Sequence, residues 1–272
     1  MNFPKFWAKG SHEGLTCWRW SDAALVEAEV LAREAARQLG EQFAARGRPQ
    51  SRYAYADRPL REPVLREFKN SSGELAAVIT RNSYGCLVLN TASVMFVDVD
   101  WPEPKSTAGG WWKKIFGKAA PPAPNDAEAR ALAQAEAWTR TKPGWGWRVY
   151  RTRAGLRLLA THALFAPEEA QTHTAFDALS ADPLYRQLCK TQKCFRARLT
   201  PKPWRCGIAN PPGRWPWPDA KAESRFAQWD ARYLKVCESH ATCALVTTMG
   251  AHPIHSDIQP ILNVHDETTQ AD

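Results

Sequence analysis

At 272 residues with 44% hydrophobic content, the chain is long enough to bury a sizeable core in one large domain or two small ones. No apolar run reaches the length of a membrane span, and the segment Met1–Trp7 lacks the apolar stretch of a secretory leader, so the expectation is a soluble cytoplasmic protein that engages no membrane. A net charge of +8 and a pI near 9.2 favour an anionic partner, with nucleic acid or nucleotide first in line, and the thirteen tryptophans among basic residues offer rings on which bases can stack.

In chain order, the aromatic segment Cys17-Trp18-Arg19-Trp20 is expected to pack a following helix onto the body. Ser21-Asp22 caps that helix, which carries Leu25, Ala28, Ala32, Ala35 and Leu39 at helical spacing and ends near Gly40 or Gly47. Three β-type runs, at 75–80, 84–89 and 93–100, are separated by short polar breaks and predict an antiparallel meander. The stretch 102–124, with Gly109-Gly110, Trp111-Trp112-Lys113-Lys114 and Pro121-Pro122, reads as a mobile basic loop. Asn125-Asp126 opens a helix to about Thr139, and strands at 147–151 and 156–161 follow, joined by Arg153-Ala154-Gly155. Helices are expected to start at Pro167 and at Asp182-Pro183, before a strand at 195–199. A Pro- and Trp-rich break at 201–218, a long helix at 220–238, a strand at 244–248 and a polar tail at 266–272 complete the chain. Helices and strands that alternate after a meander predict one mixed α/β (α+β) domain, a β-sheet flanked by helices.

The run Val94-Met95-Phe96-Val97-Asp98-Val99-Asp100 carries the sharpest chemistry. In a strand, alternate residues share a face, so Asp98 and Asp100 project together from the end of an apolar segment. Two hard oxygen ligands in that position suit Mg²⁺ or Mn²⁺, which take the rest of their shell from water and substrate phosphates. The plainer alternative is that the two aspartates open a polar loop.

Two basic segments follow: Tyr150-Arg151-Thr152-Arg153-Ala154-Gly155-Leu156-Arg157, and Gln192 through Lys202 with Phe195, Arg196, Arg198 and Thr200. Arg196 and Arg198 share a strand face, and Asp182 supplies a further acid between the segments, with Asp177 a nearby competitor or Asp182 itself only a helix cap. This order resembles the archaeo-eukaryotic primase superfamily, and its primase-polymerase branch in particular, over roughly residues 90–205. The resemblance implies a single primase-like palm domain over 1–272, with a helical and β-meander part at about 1–100 and a catalytic-core-like part at about 90–250. It further implies metal-dependent nucleotidyl transfer with nucleoside triphosphates and single-stranded or primed nucleic acid as partners. Asp98 and Asp100 would then bind metal, with Asp182 as the third catalytic acid. Arg151, Thr152, Arg153, Arg157, Arg196, Arg198 and Lys202 would hold phosphates. The chain departs from the family pattern at Arg157, where a histidine is expected.

Two other classes stay open. A catalytically reduced member would use the same basic surface only to hold nucleotide or nucleic acid, and a nuclease or phosphohydrolase would recruit His265, whose neighbour is Asp266, to Asp98 and Asp100. The pair His252 and His255 has a weak metal-like spacing. Cys189, Cys194, Cys206, Cys237, His240 and Cys243 could supply a structural Zn²⁺ site, although their spacings do not form the short paired loops of zinc ribbons, and a buried free thiol is the ordinary outcome for Cys189.

Overall fold

A computed structural model describes residues 1–47, 59–101, 126–250 and 253–271. The expected loop at 102–124, Asn125 and His252 lie outside the described residues. In chain order the elements are β1 (Phe6–His12), β2 (Leu15–Ser21), α1 (Leu25–Arg46), β3 (Val64–Lys69), β4 (Leu75–Arg81), β5 (Leu87–Thr91), β6 (Phe96–Asp100) and α2 (Asp126–Arg140). There follow β7 (Trp147–Thr152), β8 (Gly155–Ala160), α3 (Ala170–Ala178), α4 (Pro183–Gln192), β9 (Phe195–Arg198), α5 (Ala220–Cys237), β10 (Cys243–Met249) and α6 (Gln259–Thr269). The architecture is mixed α and β, with antiparallel sheets flanked by helices. No described helix is long and apolar enough to cross a membrane.

The chain forms two compact units, Met1–Ser93 with Gln187–Ala241, and Val94–Arg186 with Thr242–Asp272. In the first, β1 and β2 form a hairpin that the sequence pattern does not announce, because Trp18 and Trp20 break the alternation of apolar and polar residues. Its two-residue turn has positive φ at both Glu13 (46°) and Gly14 (77°), the backbone that matches the twist of paired strands. The small residues Ala28, Ala32, Ala35 and Ala36 of α1 are buried against Ala8 and Cys17 of this hairpin. Ser21 ends β2 rather than sitting at the helix N-cap, but its hydroxyl still accepts from the Ala23 and Ala24 amides at 2.9 and 3.3 Å.

The first unit also holds the sheet β3-β4-β5-β9, to which α5 is tied by the bond from Arg81 of β4 to Asp230. Asp219 caps α5 by accepting from the Ala222 amide at 2.7 Å, and the face Phe226, Trp229, Tyr233, Cys237 repeats every three or four residues and is buried with Cys206. The expected three-strand meander is corrected here. β4 and β5 do pair, but β9 and not β6 lies on the other side of β5. β6 buries side chains on both faces at Phe96, Val97 and Val99, and it belongs to the second unit's sheet, β10-β7-β8-β6. There β8 is buried at every position and runs between β6 and β7. Gly155 opens β8 at the point where a Cβ would stand 1.9 Å from the Val99 carbonyl oxygen, so only glycine lets the two strands meet beside Asp100. The polar tail is corrected as well. Residues 266–269 are the last turn of α6, whose Ile261, Leu262, His265 and Thr269 are buried.

Candidate functional site

The register of the second sheet sets Asp98 of β6, Arg157 of β8 and Tyr150 of β7 in one row across three strands. Arg157 is buried, and its Nε donates to Asp98 Oδ1 at 2.9 Å. Its Nη1 stands 3.4 Å from Nε2 of His265, which α6 brings in and which is wholly buried. His265 Nδ1 lies 2.8 Å from Asp266 Oδ1. That contact assigns the ring proton to Nδ1 and leaves Nε2 to accept from Arg157. The Tyr150 hydroxyl donates to Asp266 Oδ1 at 2.6 Å, and Arg148 donates to Asp266 Oδ2 at 2.7 Å and to the Tyr150 oxygen at 2.9 Å.

The result is a line of alternating charge: Asp98, Arg157, neutral His265, Asp266, Arg148. Burial disfavours the Arg157 cation, yet Asp98 beside it leaves its pKa above the ordinary arginine value. Burial pushes the His265 pKa below the ordinary imidazole value, and Arg157 adds to the shift. For Asp266, burial is outweighed by hydrogen bonds from His265 and Tyr150, which hold its carboxyl below the usual range. Burial, then Asp266, raises the Tyr150 phenol. A network with every charge answered rigidifies the sheet and carries no surplus for a ligand, except at Asp98, whose side chain keeps 28% of its exposure.

The other residues singled out in the sequence fall as follows. Asp100 is exposed and shares a face with Asp98. The Asp182 amide donates to the Asp98 carbonyl at 2.9 Å, while its carboxylate accepts from the Tyr185 amide at 2.7 Å and so caps α4. Arg151 forms a two-pronged bond with Glu128 of α2, its Nε 2.9 and its Nη2 2.6 Å from Oε1. The Thr152 hydroxyl closes the β7–β8 turn on the Gly155 carbonyl at 3.1 Å, and Arg153 is exposed in that turn. Arg196 and Arg198 belong to β9, in the other sheet and the other unit from Asp98. Arg196 Nη2 contacts both oxygens of Glu62 at 2.9 and 3.1 Å, and Lys202 Nζ lies 5.6 and 5.4 Å from the ring centres of Tyr84 and Trp204. The two basic segments therefore lie in different sheets, because β9 pairs with β5.

A divalent-metal centre needs carboxylates that turn their oxygens to one ion. Among the described residues no three His, Cys, Asp or Glu side chains come together to hold a metal, and the strand carboxylate best placed for the task is bonded to an arginine. Among the described residues the arrangement does not complete a two-metal centre. The cysteines considered for zinc are all buried and outside any disulfide. Burial pushes the Cys194 thiol up to about 11 and the Cys237 thiol up to about 12, so both are neutral thiols at neutral pH.

Sequence reasoning missed Tyr150, Arg148, Glu62 and Glu128 as partners. The one readable signal was in α6, where Ile261, Leu262, His265 and Thr269 share the spacing of a buried helical face and so point His265 inward. Compared with family models, curated proteins and solved structures, the chain matches none.

Proposed function

We propose that this chain is a nucleotide- or nucleic-acid-binding module of primase-polymerase type, reduced in catalysis, that presents the β6 end and the β7–β8 turn to its ligand. One contact carries this reading: the Arg157–Asp98 bond at 2.9 Å, in which the cation expected to clamp phosphate and the carboxylate expected to hold metal neutralise each other. The exposed Arg153 in the adjoining turn and the net charge of +8 supply the attraction for an anion. Nucleotidyl transfer is the second reading, favoured by the bond from the Asp182 amide to the Asp98 carbonyl, which ties a further acid to β6. It requires Asp98 to leave Arg157. Fluorescence anisotropy with labelled single-stranded DNA, run beside incubation with Mn²⁺, labelled nucleotides and a primed template, separates the two. Salt-sensitive binding without product supports the module. Extended primers with release of pyrophosphate establish the enzyme, and no binding and no product reject both.

A further inference from the structure

The second unit carries a groove of about 520 Å³ at the start of β7, the end of that strand opposite the β7–β8 turn. α2 ends at Arg140, and the Thr141 and Lys142 amides turn back to the Trp138 and Thr139 carbonyls, each at 3.0 Å. The Trp145 amide closes the bend on the Lys142 carbonyl at 3.0 Å. Trp145 is half-buried and lines the groove, and four rings fix its indole: the centres of His162, Trp138, Phe165 and Trp147 lie 4.6, 4.8, 4.9 and 5.5 Å away. Met249, which pairs with Trp147 across β10 and β7, and exposed Thr248 line the groove as well. An indole already held by its neighbours needs no ordering when a second ring stacks on it.

Three charged residues line the groove, and two of them answer each other. Glu136 and Arg140 form an ion pair at 2.7 Å, one turn apart on α2. The third, Lys142, is exposed, and its ammonium has no carboxylate or ring partner among the described residues. The groove therefore sets one surplus positive charge beside a fixed aromatic face, and the polarizable thioether of Met249 adds a favourable contact for a ring edge. That combination describes a planar ring with a single negative charge. A phosphate monoester carries nearly two charges at neutral pH and would leave one of them unanswered. The volume falls within the ordinary range of small-molecule pockets, about 300–1,000 Å³, and accommodates an acid of one or two rings.

We infer that this groove binds an aromatic monocarboxylate, with the ring on Trp145 and Met249 and the carboxylate on Lys142. The inference goes beyond the module proposed above, whose residues lie at the other end of β7. Of the three methionines in the chain, Met249 lines the groove and Met95 is wholly buried, so labelled methionine methyl groups report the site by NMR with a control in the same unit. The full chain is titrated with indole-3-acetate, its neutral counterpart indole-3-acetamide, and acetate. Indole-3-acetate should move the Met249 methyl signal saturably, leave Met95 in place, and bind at least tenfold more tightly than either of the others. Lys142→Gln should weaken it about tenfold, the loss of one charge-assisted contact. Glu136→Gln, which releases Arg140 as a second cation, should tighten it. Lys142 and Glu136 are exposed, so both variants keep the fold. A Met249 signal that does not respond, equal affinity for acetate or for the amide, or indifference to Lys142→Gln would overturn the assignment. Loss of indole-3-acetate binding in Arg153→Ala with none in Lys142→Gln would also overturn it and move the ligand to the β7–β8 turn.

Discussion

Arg157 in the second unit and Arg196 in the first are alike in sequence terms, each a strand arginine expected to meet phosphate, and each instead meets a carboxylate of its own fold. The two pairs are buried in opposite senses. In the second unit the arginine is the buried partner, 4% exposed against 28% for Asp98. In the first the acid is the more buried, Glu62 at 8% against 13% for Arg196, and Glu62 also accepts from the Thr80 hydroxyl. Burying a charge is costly unless it is answered, so what matters in each pair is which member is left behind when the other is removed. The lesson is that Asp98 has a structural duty to Arg157 that a metal ligand on a strand end would not have.

The largest effect should come from Asp98→Asn, which leaves a buried guanidinium without its counter-charge and should cost about 3–5 kcal/mol in denaturant unfolding. Arg157→Met should cost less, because the Asp98 carboxylate it leaves can turn to water. The order should reverse in the first unit. There Arg196→Met strands a buried Glu62 and should cost about 3 kcal/mol, more than Glu62→Gln. Equal costs within either pair would break the comparison.

A smaller effect is expected with pH. The folded state resists the proton that His265 takes up freely when unfolded, since burial holds its pKa below 6.5, and Arg157, Arg148, Asp266, Asp98 and Tyr150 surround it. Its contribution is therefore complete above about pH 6.5 and is lost as pH falls below that value, by at most about 1.4 kcal/mol per pH unit. Unfolding curves of wild type and His265→Gln between pH 7.5 and 5.5 should differ in slope by that amount or less, with the variant flatter. Parallel curves would remove His265 from the account. The smallest effect is Arg153→Ala, which should lower the salt dependence of single-stranded DNA binding by about one unit of log K against log salt and leave stability unchanged.

Much of the element order was legible in the sequence, because α1, α2, α5, β7 and β8 carry strong periodicity and clear breaks. The hairpin β1–β2 was not, since apolar residues stand on both its faces, Leu15 and Cys17 on one and Trp18 and Trp20 on the other, and α6 was legible only in the spacing of its buried face, whose histidine and threonine read as polar. The shared face of Asp98 and Asp100 followed from the strand period alone. Their partners did not, because an ion pair between β6 and β8 depends on register, and no local pattern tells which of Arg151, Arg153 and Arg157 will lie opposite Asp98. The same limit explains β9: a four-residue strand with two arginines carries no mark of the sheet it will join.

The most direct test of the proposal that Asp98 answers Arg157 and not a metal ion is a titration of the full chain with Mn²⁺, read by electron paramagnetic resonance, beside Asp98→Asn and Asp100→Asn. The account predicts no saturable Mn²⁺ site that either variant removes. One tightly bound Mn²⁺ per chain, lost in both variants while each remains folded, would contradict it.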